Sequence, residues 1–221
     1  MPANERAPVP ETPLRRETGR VEAFSDGVFA IAITLLILDI KVPARPDWMS
    51  ASDAGHANQW LLGVLGGQWP AYVAYFMSFA VILVMWVNHH KIFSLLRRTD
   101  HAFLFWNGLL LMLISIVPFP TALLATYWMT PAAKVGAAVY AGHGFAIALA
   151  FQGVWQHAIR NDRLLVPGTR AEVGRLSAQY RFGPLMYVIA FALAFVSASI
   201  STGLCLLFAV YFSVLGFFQK S

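Results

Sequence analysis

A carboxylate in an apolar stretch is the most demanding group a sequence can place near hydrocarbon. It must face protein or water, and it needs a partner. Asp26 is such a group, set near the start of VEAFSDGVFAIAITLLILDIKV (residues 21–42), with Asp39 near the other end. Partners of suitable type flank it or stand at the ends of the next two apolar stretches. They are Arg20 and Ser25 beside it, Trp86, His89 and His90 in WVNHHKIF, and Asn107. Two chemistries fit this set: a polar knot that fixes how helices pack, or a site that exchanges protons or ions.

Helical geometry separates Asp26 from its own segment. At about 100° per residue, Phe24, Ile31, Thr34, Leu35 and Leu38 share one face, and Asp26 lies near the opposite one. The stripe is apolar with a single hydroxyl, and periodicity alone reads it as lipid or bundle contact. Asp39 is open to two readings, an acidic ring that gathers cations or a local pair with Lys41.

The histidines do not form a metal motif. His89 and His90 are adjacent and point about 100° apart on a helix, whereas zinc sites place both ligands on one face, as in H-E-x-x-H. One cysteine, Cys205, excludes an intramolecular disulfide and a thiolate set. The chain has no G-x-S-x-G, Walker loop, G-x-G-x-x-G or TVGYG filter, so the expectation is no catalytic residue, no metal and no cofactor.

The elements that position these residues follow from the spacing of charge. Hydrophobic residues make up 58% of the 221 residues and charged ones only 12%, about half the usual share for a soluble domain. Uncharged runs of 37, 33, 25 and 38 residues lie between Asp53 and Lys91, Asp100 and Lys134, Lys134 and Arg160, and Arg181 and Lys220. Crossing about 30 Å of hydrocarbon takes about 20 residues, so each run spans and the last can span twice. The spacing predicts an all-α, polytopic membrane protein with six transmembrane helices, near 21–42, 69–90, 102–124, 132–157, 184–200 and 203–218. Pro118 and Pro120 should bend or end the third, SASISTG should hold the last turn, and residues 43–67 read as an extramembrane loop whose Trp60 to Leu65 portion rests at the interface. Residues 1–17 read as a disordered cytoplasmic tail rather than a signal peptide, ahead of a six-helix transmembrane domain at 18–221.

Of the 16 Lys and Arg residues, 13 fall on one side of that topology, which places both termini in the cytoplasm of a multi-pass cell-membrane protein. The net charge of +5 fits this bias, and no nucleic-acid motif accompanies it.

The residues Arg20, Phe24, Ser25 and Asp26, as R-x-x-x-F-S-D, followed by GVFAIAITLLILDI, resemble the transmembrane protein 175 family of potassium channels. So do Trp86, His89 and His90 as W-x-x-H-H, together with Asn107 and VPFPT. The resemblance covers nearly all of the chain from Arg20 onward. It implies a prokaryotic single-repeat form, a homotetramer in the lipid bilayer whose first helix lines a central pore. Carried over by position, it implies that Ile31, Leu35 and Leu38 form hydrophobic constriction rings, that Thr34 contributes to selectivity, and that Asp39 sits at the pore mouth. Arg20, Ser25, Asp26, Trp86, His89, His90 and Asn107 become the structural polar network, with either histidine as its buried member. The implied function is a potassium-permeable cation channel with modest preference over sodium. The rivals are a proton-permeable leak channel and a proton-coupled transporter using Asp26 and a histidine.

Overall fold

The computed structural model describes residues 13–50, 54–160 and 164–218, which are helical apart from turns and one isolated antiparallel bridge. Helix α1 (Pro13–Leu35) tightens into a 3-10 turn at Leu36–Asp39, and a second 3-10 turn follows at Asp47–Ser50. Then come α2 (Ala54–Gly67), α3 (Trp69–Ser94), α4 (His101–Ile116), α5 (Pro118–Tyr127), α6 (Ala133–Arg160), α7 (Arg170–Tyr180), α8 (Gly183–Ala194) and α9 (Ala198–Phe218).

Four segments among the described residues are long and apolar enough to cross a membrane: Glu17–Asp39, Trp69–Ser94, His101–Tyr127 and Ala133–Arg160. The third is broken as its prolines dictate. Pro118 and Pro120 lack amide donors, so Val117 N–H closes a short 3.1 Å bond to the Ile114 carbonyl, and α5 restarts with proline in its first turn. The C-terminal run holds two helices, α8 and α9. Helix α8 ends at Ala194, before the predicted Ile200, because Ser197 caps α9 by accepting the Ile200 amide at 3.4 Å. At 12 residues, or about 18 Å, α8 is shorter than a full span.

Two stretches outside the expected spans are helical. Helix α2 occupies most of the 43–67 loop and has no buried residue. Near it, the Trp48 ring meets those of His56 and Trp60 at 5.0 and 5.8 Å. Helix α7 lies in the basic segment and docks through Val173, Leu176 and Tyr180. Helix α1 begins at Pro13, inside the stretch read as a tail. Residues 1–12 lie outside the described residues.

Helix α6 is the hub, packed on α4, α5, α8 and α9. Its glycines let neighbours come close: the rings of Trp106 and Tyr187 occupy the space where a Cβ on Gly153 and Gly144 would stand. One apolar cluster joins α1, α3, α4 and α6 through Phe29, Ile82, Leu110 and Val154; another joins α5, α6, α8 and α9 through Leu124, Ala141, Ala190 and Cys205.

Candidate functional site on the first helix

Alanine, isoleucine and leucine carry the last turns of α1, and Ser25, Phe29, Ala32 and, in the 3-10 turn that follows, Leu36 form the buried face. The opposite face is bare. Phe24 is 68% exposed, Ile31 61%, Leu35 40% and Leu38 60%, with Thr34 also exposed between them. The 3-10 turn keeps this face aligned, because residues three apart eclipse in that geometry and Leu38 therefore stands over Leu35. Thr34 Oγ1 donates its proton to the Ile31 carbonyl at 2.9 Å, leaving oxygen lone pairs as its remaining hydrogen-bonding capacity.

The buried face is held by polar rungs. Asn107 Nδ2 donates to Ser25 Oγ at 3.0 Å, and Ser25 Oγ donates to the Val21 carbonyl at 2.9 Å. Asn107 Oδ1 then faces His89 Nε2 at 2.9 Å, and because an amide oxygen only accepts, His89 Nε2 carries the proton. His89 Nδ1 is buried with no hydrogen-bond partner, between the rings of Phe29 and Phe93 at 5.3 and 4.5 Å. Beside this chain, Trp86 Nε1 donates to Asp26 Oδ1 at 2.8 Å, and His90 Nδ1 meets Glu22 Oε1 at 2.8 Å while its ring stacks on Trp86.

These contacts form an antiparallel ladder. Glu22 and Asp26 are four residues apart on α1, Trp86 and His90 four apart on α3, and the lower residue of each pair meets the higher of the other. Ser25 and His89 each precede one of those residues and are joined through Asn107. His89 is therefore the buried histidine of the pair, and His90 is an exposed one. Glu22 was not among the residues singled out from the sequence; its i,i+4 spacing to Asp26, matched by Trp86 and His90, was the signal.

Two residues stand apart from the ladder. Arg20 is exposed and lines an open groove with Glu17, Phe24 and Gly108 between α1 and α4. Asp39 closes the 3-10 turn with Oδ2 buried and without a hydrogen-bond partner, while the Lys41 ammonium turns to the Leu38 carbonyl and its amide to Gln68 Oε1. Among the described residues, no group of three or more His, Cys, Asp or Glu could hold a metal.

The architecture is that of a multi-pass helical membrane protein whose first helix is pinned on one face and bare on the other. Residues 20–118 match the family described as "Endosomal/lysosomal potassium channel TMEM175". A potassium channel of Chamaesiphon minutus is 55% identical over 205 residues, covering 92% of this chain and 97% of the relative. One of Streptomyces collinus is 48% identical over 198 residues, covering 89% and 91%. The crystal structure of a lysosomal potassium-selective channel TMEM175 homolog from Chamaesiphon minutus superposes with a TM-score of 0.79 at 53% identity, over 91% of this chain and 98% of that one. The chain belongs to the TMEM175 family, a family of ion channels and not of enzymes.

Proposed function

We propose that this chain is a potassium-permeable cation channel, a homotetramer of six-span subunits in the cell membrane with both termini in the cytoplasm. The observation that carries the reading is the bare stripe of α1 from Phe24 to Leu38, continuous along the helix and left uncovered by the chain's own fold. Four such stripes facing one axis make a pore whose waist is apolar apart from the Thr34 hydroxyls. The potassium channels of Chamaesiphon minutus and Streptomyces collinus match it over nearly its whole length, which supports the same permeant ion.

In this reading Ile31, Leu35 and Leu38 form stacked rings. Apolar rings of small radius expel water, so a hydrated cation crosses only when the rings part enough to rewet. Thr34, with its proton committed to the Ile31 carbonyl, presents an acceptor oxygen between two of those rings and favours the cation that sheds water more readily. Asp39 stands at the outer end, where its charge concentrates cations. Ser25, Asp26, Trp86, His89, His90 and Asn107 belong to the far side and its rim, where they fix the azimuth of α1 and hence which residues meet the axis; Arg20, exposed beside Phe24, lies outside that network. No resident cofactor takes part.

Purified protein in liposomes, assayed for potassium, sodium and proton flux beside a mass measurement of the assembly, tests the reading. Potassium flux above sodium from a four-chain particle is the expected result. Proton flux alone would replace it with the leak-channel reading, and a particle of another stoichiometry would remove the fourfold pore.

A further inference from the structure

Two prolines interrupt the third span at Val117, where α4 gives way to α5. Pro118 offers no amide to the Ile114 carbonyl, and Val117 N–H turns to serve it at 3.1 Å. The Leu113 carbonyl, which Val117 would serve in an unbroken α-helix, is thereby released. His143 of α6 takes over that bond. Its Nε2 lies 2.9 Å from the Leu113 oxygen and, because a carbonyl only accepts, carries the proton. A break within a membrane span persists where neighbours satisfy the freed backbone groups, and His143 is such a neighbour.

A polar chain secures the first turn of α5 beyond the break. Thr121 Oγ1 donates to the Val117 carbonyl at 2.8 Å, which leaves its oxygen to accept from Ser78 Oγ of α3, also at 2.8 Å. With the serine proton so committed, the Tyr140 hydroxyl of α6 donates to Ser78 at 3.1 Å. The protons therefore run one way, from Tyr140 through Ser78 and Thr121 to the backbone at the break. All three side chains are buried. Helix α5 is thus tied at one point to α3 and α6 together.

The helix held in this way stands behind the end of α1. Helix α5 packs on the 3-10 turn at Leu36–Asp39, with α3 beside it, and Leu36 shares an apolar cluster with Ile114 and Val117 at the break. Leu38 projects from the bare side of the same turn. Hydrogen bonds in a 3-10 turn are poorer than those of an α-helix, so the place of this turn depends on what supports it. We infer, on the reading of the α1 stripe as the conduction path, that Thr121, Ser78, Tyr140 and His143 are positioning residues for the Leu38 ring: they hold α5 behind the turn and set how far Leu38 stands toward the axis. When α5 loosens, the turn recedes, and the ring widens and wets.

Planar-bilayer recording of the full-length protein tests this, with thermal unfolding of each variant in parallel. One net hydrogen bond is worth a factor of about two to twelve in an equilibrium, so Thr121→Val should raise basal potassium current by at least about twofold. Thr121→Ser keeps the hydroxyl and should restore the wild-type current. Tyr140→Phe removes only the donor that starts the chain; it should act in the same direction, and it replaces Thr121→Val if that variant does not fold. His143→Leu should raise the current, whereas His143→Gln, whose amide can donate to the Leu113 carbonyl, should not. On Leu38→Ala, where the ring is already open, Thr121→Val should add nothing. Current unchanged or lowered in Thr121→Val and His143→Leu, whatever their unfolding midpoints, would overturn the inference and leave these residues as helix packing alone. An increase that multiplies in full on Leu38→Ala would also overturn it, by placing the effect elsewhere. Leu38→Ala by itself separates the two readings. Unchanged current there removes the α1 pore and this inference with it, while raised current there beside an unchanged Thr121→Val removes this inference only.

Discussion

Replacing Asn107 by leucine isolates the energy stored in the ladder. Ser25 and His89 are each 0% exposed and Asn107 is 3%, so no water reaches the gap. Ser25 keeps its bond to the Val21 carbonyl, but His89 loses its partner at Nε2. Its Nδ1 already lacks a partner, so the ring is left with neither nitrogen satisfied. An orphaned buried donor costs about 1–3 kcal/mol, although polar pairs between membrane helices average nearer 0.6 kcal/mol. A loss of about 2 kcal/mol follows, or about 4–8 °C in the unfolding midpoint for a chain of this size. His89→Leu alone should cost a similar amount, since it orphans Asn107 Oδ1. The double variant removes both groups together and should cost less than the sum of the singles by about 1–2 kcal/mol. Thermal unfolding of the four proteins in one detergent measures this cycle. Strict additivity, or single-variant shifts under about 1 °C, would refute the reasoning.

Three further outcomes follow from the same geometry. Thr34→Val keeps the side-chain shape and removes the acceptor oxygen, so the reversal potential under bi-ionic potassium and sodium should move; an unaltered value takes Thr34 out of the selectivity mechanism. Asp26→Asn weakens the charge-assisted bond from Trp86 on the face away from the stripe, so tetramer yield on size exclusion should fall more than the permeability ratio changes, and a well-assembled tetramer with altered selectivity would contradict that placement. Gly153→Val drives a side chain into the Trp106 ring and should lower stability by about 1–3 kcal/mol, read as a lower unfolding midpoint, whereas an unchanged midpoint would show that α4 and α6 have room to separate.

Much of the helical layout was legible because hydrophobic runs and their breakers act locally. The start of α3 at Trp69 and the break before Pro118 both follow from chain chemistry within a few residues. The apolar run stops at His90, yet α3 continues through Lys91 to Ser94. Phe93 and Ile92 are buried against neighbours that no local pattern reveals. Helix α7 left a readable trace in Val173, Leu176 and Tyr180, spaced three and four apart in a polar segment outside the expected spans. Turning to the candidate site, Ser25, Asp26, Trp86, His89 and Asn107 could be grouped by type, because buried polar groups need one another. Which histidine faces inward could not be read, since adjacent residues differ by only about 100° and the choice rests on where α4 lies. Glu22 was passed over as one more charge at a helix start, and its pairing emerges only when α1 and α3 run antiparallel.

The central question is whether the bare face of α1 is the conduction path. Planar-bilayer recording of the wild type beside Ile31→Ala and Leu35→Ala tests this most directly. Shortening either ring widens and wets the waist, so unitary steps should persist and basal potassium current should rise in both variants. Current unchanged in both, with the proteins assembled as in the wild type, would contradict the assignment of this stripe to the pore.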